Sequence, residues 1–310
     1  MADTTTASRS FVRRLLRQPG ARWSVIAIAL LVVVAVFGPS VLRHIQGYGP
    51  NDQLQIVQLK NAPPSWAHPF GTDRLGRDLL SRVVTGAQIS LAISVVAVAL
   101  SITVGTAYGL VSGYAGGWVD AVMMRILDGF LAIPRVLLLI ALATMADRMP
   151  LWKLVLLIGG TGWFGVSRLI RAETIVLRRS TFIESAHALG ASMTRTMWRH
   201  VLPNVLTPVI VFATLSVGNV ILLESGLSYL GAGTKIPTAS WGAIFNDGMG
   251  SAGDVWWVLL FPGLAILITV LAFNVLGDAL RDVLDPRHLH ASHTPQIAEA
   301  ATSATPEKNG

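Results

Sequence analysis

Long apolar runs separated by polar segments dominate this chain. Runs of about twenty residues lie at 23–42, 89–112, 122–143, 151–170, 205–223 and 255–276. Each matches the roughly 20 residues that a helix needs to cross a bilayer core. The pattern predicts an all-α, polytopic membrane protein with six transmembrane helices. Ala97, Ala99, Gly105, Ala107 and Gly109 recur in the second run and suit close helix packing. Pro134 and Pro208 predict kinks in the third and fifth.

The remaining segments fall between these runs. Residues 1–22 are polar and carry Arg9, Arg13, Arg14, Arg17 and Arg22. The run at 23–42 is too long for a signal-peptide core and no small-residue cleavage site closes it, so it reads as the first membrane helix. Residues 43–88 read as a long extracytoplasmic loop, without continuous helix before Thr72 because Pro and Gly recur. Asp73 or Thr72 then caps a short amphipathic helix through Leu79, Leu80 and Val83. A core of five membrane runs fills 89–288, and the Ala/Thr/Ser/Pro-rich tail at 289–310 is expected to be disordered.

One polar stretch inside the core, within 172–204, has its own pattern. Thr181 and Glu184 have capping-box spacing, which starts a helix at about Phe182. Phe182, Ala186 and Leu189 repeat on one helical face. Gly190 follows, suited to the left-handed position that ends a helix. A second short helix fits 193–201, with Met193, Met197 and Val201 on one side, and Pro203 stops it or kinks it into the next run. A short helix pair of this kind is marginal alone in water. Its exposed apolar face calls for a partner.

Composition agrees with the pattern. The 310 residues are 52% hydrophobic and 13% charged, with a mean hydropathy of +0.58. The net charge of +7 does not point to nucleic acid, because the arginines sit mostly at the ends of apolar runs. Arg168, Arg171, Arg178, Arg179, Arg195 and Arg199 flank the 172–204 loop, whereas the loop at 224–254 holds only Lys235. That asymmetry places both termini and the 172–204 loop in the cytoplasm. Arg43, Lys60, Arg74, Arg77 and Arg82 in the first loop oppose it. There is no cysteine, hence no disulfide or thiolate metal site, and no Gly-Lys phosphate-binding signature.

Several single residues carry candidate chemistry. Asp128 is expected to pair with Arg125, one helical step away. Arg135 lies deeper. It either reaches a carbonyl or Asp128, or lines a path for an anionic solute. Glu224 reads as just outside the fifth span, solvated at the surface, with contact to a peptide amino group or a binding protein as the alternative. Trp23, Trp152, Trp163, Trp241, Trp256 and Trp257 read as interfacial anchors. His288, His290 and His293 lie in the tail without other ligands, so no metal site is expected.

Glu184-Ser185-Ala186, followed by Gly190 and by Leu202-Pro203, resembles the EAA loop of ABC-transporter permeases, with Ser185 in place of the middle Ala. The segment from His68 to Asp78 is similar to one in C-type permeases of the dipeptide, oligopeptide and nickel importers. The stretches 226–231, 240–242, 261–263 and 276–286 extend that likeness over residues 65–288. The resemblance implies a type I importer fold in the bacterial inner membrane and a heterodimer with a homologous B-type permease. It further implies two ATPase subunits docked at the 172–204 loop and an extracytoplasmic solute-binding protein. ATP is then used by the partners, and this chain binds no cofactor and is no enzyme. The solute implied is a peptide, with glutathione or nickel as alternatives. Trp241 is expected at the outer mouth, against the binding protein. A secondary transporter driven by an ion gradient is the rival reading, and it needs acidic or histidine relays at the midplane.

Overall fold

The computed structural model describes residues 13–145, 149–234, 238–249 and 255–284. Every named element is helical. In chain order they are α1 (Pro19–Gln46), α2 (Ile56–Leu59), α3 (Leu79–Ala115), α4 (Gly117–Leu131), α5 (Arg135–Thr144) and α6 (Leu151–Arg178). There follow α7 (Thr181–Ala188), α8 (Met193–Thr196), a π turn (Met197–Val201), α9 (Leu202–Tyr229), α10 (Trp241–Met249) and α11 (Trp257–Leu284). Among the described residues five helices are long and apolar enough to cross a membrane, and a sixth span results if α4 and α5 count as one broken crossing. His288 and the tail at 289–310, with His290 and His293, lie outside the described residues.

Helix α3 is the axis of the bundle and packs along α6. Gly105, Gly109 and Gly113 form the contact stripe. A Cβ on Gly105 would sit 2.5 Å from the Val166 Cβ, and one on Gly109 would sit 2.6 Å from the Ser167 carbonyl oxygen. Only hydrogen at these positions lets the two backbones approach so closely. One apolar core joins α3 to α6, α9, α10 and α11 and includes Leu79, Leu91, Ile158, Ile221 and Trp241. A second gathers Leu110, Tyr114, Val166, Ile170, Ile183, Val201, Val205 and Val209 at the end where α3 finishes. Helix α1 buries only Ala21, Ser24 and Ala35, and its exposed Leu30, Val33 and Phe37 suit contact with lipid.

Several boundaries differ from those read in the sequence. The amphipathic segment at 79–88 is not a separate loop helix, because α3 runs unbroken for 37 residues. Its cap is neither Asp73 nor Thr72 but Asp78, whose carboxylate accepts from the Ser81 N–H at 2.8 Å. The third run is broken: α4 and α5 meet at 71°. Pro134, which precedes α5, lacks the N–H that a continuous helix would need there. Helices α1, α6 and α11 each extend beyond their apolar runs, since polar residues continue a helix past the membrane edge. Pro203 does not stop the chain: α8, the π turn and α9 form one 37-residue rod. In the π turn the Leu202 N–H reaches back five residues to the Met197 carbonyl. The wider turn leaves room for the Pro203 ring, and the Asn204 side-chain amide donates to the His200 carbonyl at 2.6 Å.

Candidate functional site

Residues 181–202 lie at the same end of the bundle as the start of α4 and close against the second core. Ile183 and Val201 are fully buried and fix the segment to α3, α6 and α9. Helix α7 begins at Thr181, one residue earlier than expected, with the Glu184 N–H on the Ser180 carbonyl at 3.1 Å. The Glu184 carboxylate makes no hydrogen bond or ion pair with any described residue, so it does not close a capping box. It lines instead a cavity of about 540 Å³ with Asp120, Arg171, Arg178 and Arg179. Ser185 donates back to the Thr181 carbonyl at 2.8 Å.

Gly190 has φ +82°, the left-handed value. The Ala191 N–H bonds the Ala186 carbonyl at 3.0 Å across it, which is the Schellman pattern. Ser192 then accepts from the Arg195 N–H and starts α8. The result is a sharply turned segment held by two buried anchors. Its outer surface carries Phe182, Leu189, Met193 and Trp198, with Leu189 88% and Trp198 61% exposed. Leu202 is half-buried in the second core and Pro203 is exposed. Rigid mounting with apolar side chains left outside is what a docking surface requires.

The charges along α4 and α6 pair across the two helices. Arg171 holds Asp120 with two bonds of 2.5 and 2.6 Å, and Ser112 also donates to Asp120. Asp128 pairs with Arg168 at 2.5 Å, not with Arg125 as the sequence suggested. The partner is thus supplied by α6 across the helix pair and not by the i−3 neighbour on α4. Arg135 opens α5. Its Nη2 donates to the Ile158 carbonyl at 2.8 Å and its Nε to Thr161 Oγ1 at 3.3 Å.

The opposite end is built on a charge cluster that the sequence did not reveal. Arg77 donates to Asp73 at 2.7 Å and to Asp247 at 2.9 Å. Arg82 reaches the same Asp247 oxygen at 3.1 Å. Arg77, Arg82 and Asp73 are buried and the Asp247 carboxylate nearly so, while the more exposed Arg74 approaches the other Asp247 oxygen at 3.6 Å. Beside them His68 meets Asp78 at 2.8 Å. Burial, then the Asp78 charge, raises the neighbouring Tyr48 phenol above its ordinary pKa. One hint was available: arginines that oppose the positive-inside rule need local neutralisation, and Asp247 lies in a loop otherwise poor in charge.

Glu224 and Trp241 are also placed differently from expectation. Glu224 is inside α9 and 1% exposed, not solvated beyond the span. Ser228 and Ser240 donate to its Oε1 at 2.9 and 2.8 Å. Trp241 is equally buried. Its indole N–H donates to the Val83 carbonyl at 2.9 Å and its backbone N–H to Ser90 at 3.1 Å. Neither side chain is available for direct contact with a separate protein. Trp257 is buried too and donates to the Thr72 carbonyl, whereas Trp23, Trp152 and Trp256 are exposed, as anchors would be.

Residues 105–290, which include the 181–202 segment and most of the bundle, match the family model described as binding-protein-dependent transport system inner membrane component. The chain belongs to that family. Residues 6–64 match the N-terminal TM domain of oligopeptide transport permease C. Relatives include the glutathione transport system permease protein GsiD of Escherichia coli O6:K15:H31 (strain 536 / UPEC) and that of Shigella boydii serotype 4 (strain Sb227). Each is 41% identical over 282 residues, covering 91% of both chains. The protein is therefore a multi-pass permease subunit of a binding-protein-dependent ABC importer of the peptide and glutathione group, and not an enzyme. ATP is hydrolysed by partner subunits, and the ion-driven alternative falls with that assignment.

Proposed function

We propose that this chain forms half of the pathway of an importer for peptides, dipeptides or oligopeptides, paired as a heterodimer with a homologous B-type permease. Glutathione, itself a short peptide, is the second reading, and the 41% identity to permeases of that name favours it. Two ATPase subunits dock on the bundle, one of them against residues 181–202. The extracytoplasmic solute-binding protein delivers at the opposite end, near residues 47–78. Both termini and the 181–202 segment face the cytoplasm. ATP binding to the partners moves this segment, and the continuous rod from Met193 to Tyr229 carries the movement through the membrane as a hinge or shear transition.

The observation that carries this reading is the 181–202 surface. Phe182, Leu189, Met193 and Trp198 are presented on a segment fixed by Ile183, Val201 and the Gly190 turn. A free amphipathic loop lying on lipid would need no such fixing.

The test is uptake in vesicles holding the complete complex. Dialanine or glutathione should accumulate only when ATP, ATPase subunits and binding protein are all present. Accumulation that persists without the ATPase subunits would sink the proposal.

A further inference from the structure

Arg135 has a cation's chemistry without a counter-charge. Arg77, Arg82, Arg168 and Arg171 each meet a carboxylate of this chain. Arg135 meets none among the described residues. Two of its five N–H donors are used, on the Ile158 carbonyl and on Thr161. Its Nη1 has no partner among the described residues.

The depth makes that unusual. Arg135 is level with Ile158, seven residues or about 10 Å below the start of α6. On the other side lies α4, fifteen residues long and turned 71° from α5. A guanidinium at such depth does not face lipid tails. It faces a water-filled path or a partner that satisfies it.

The surroundings hold it in place and leave one side open. The break at Pro134 sets Arg135 at the first position of α5. The two bonds to α6 fix the guanidinium plane. Gly162 lies against it, where a Cβ would come within 3.2 Å of Nη2. Arg135 itself is only half-buried, although Leu139 one turn on is fully buried, so part of its side chain stays open beside the core.

We infer that Arg135 is a carboxylate-binding residue of the solute pathway, taking the C-terminal carboxylate of a short peptide through its free Nη1 edge. The inference rests on the peptide-importer reading above and adds the recognised group to it. Carboxylate against guanidinium is a charge-assisted pair, strong enough to select solutes. The neighbouring apolar side chains suit the remainder of a small peptide.

The experiment measures uptake by the complete complex of dialanine and glutathione, each beside its C-terminal amide, in wild type and in Arg135→Gln and Arg135→Lys. Arg135→Gln should raise KM for the free acids about tenfold to a hundredfold and leave kcat and the amides nearly unchanged. Arg135→Lys should recover part of the loss. Complex assembly and basal ATP hydrolysis serve to report the fold. If Arg135→Gln lowers acid and amide uptake equally, Arg135 only braces α5 against α6 and the inference fails. Unchanged KM for the acids also overturns it. If the wild type carries neither peptide, the peptide reading itself fails and takes this inference with it. Wild-type uptake without loss of discrimination in Arg135→Gln defeats the inference alone.

Discussion

Arg77 and Asp247 stand 170 positions apart in the chain and 2.9 Å apart in space. Their bond ties the segment before α3 to the short helix α10, two parts of the molecule joined by no continuous helix. Arg82 shares the same Asp247 oxygen, so one carboxylate holds two buried guanidinium groups. Asp247→Ala leaves Arg77 and Arg82 with Asp73 alone. Removing one partner of a buried pair costs about 3–5 kcal/mol. The purified complex in detergent should unfold at a clearly lower temperature than wild type. A loss below about 1 kcal/mol would mean that water already reaches the cluster.

Gly190 makes a separate demand on the other end. With φ at +82°, a β-branched side chain is strained and asparagine is tolerated. The space around it is open, so the backbone alone decides. Gly190→Val should strip most ATPase subunit from the purified complex, while Gly190→Asn keeps most of it. Equal retention by both variants would show that the turn's geometry is irrelevant to assembly.

Glu184 is exposed and its carboxylate bonds to nothing described in this chain, although Arg171, Arg178 and Arg179 line the same cavity. On the proposed docking, Glu184 offers its charge to the ATPase subunit. Glu184→Gln should therefore behave like Glu184→Ala, each lowering solute-stimulated ATP hydrolysis several-fold with the protein still inserted. Wild-type hydrolysis by Glu184→Gln would remove the charge from the account.

The parts of this molecule that were legible in the sequence are those set by neighbours in the chain. The membrane helices follow from run length, and the Gly190 turn from a helix that must end between Ala186 and Ser192. The bend at Pro134 was visible for the same reason, though not its 71° size. Tertiary partners were not visible. Asp128 chose Arg168, forty positions away, over the adjacent-turn Arg125. Glu224 and Trp241 looked like edge residues because the apolar run stops at 223. Serine donors on α9 and before α10 instead let the polar chain stay inside. A hydropathy run ends where polar residues begin, whereas a helix ends where its backbone loses partners. The early start of α3 and the length of α9 both follow from that difference.

Direct contact between the 181–202 surface and the ATPase is the centre of this account, and Leu189 tests it most directly. The side chain is 88% exposed here, so replacing it should not disturb the fold. If it enters a groove on the ATPase, its burial contributes about 1.5–3 kcal/mol, and a carboxylate in its place adds a desolvation cost. The measurement is the affinity of purified ATPase subunit for the permease pair in nanodiscs, wild type against Leu189→Asp. Docking through Leu189 predicts a loss of at least about tenfold, with the permease pair itself intact. An affinity equal to wild type would contradict it and leave residues 181–202 as a membrane-surface loop.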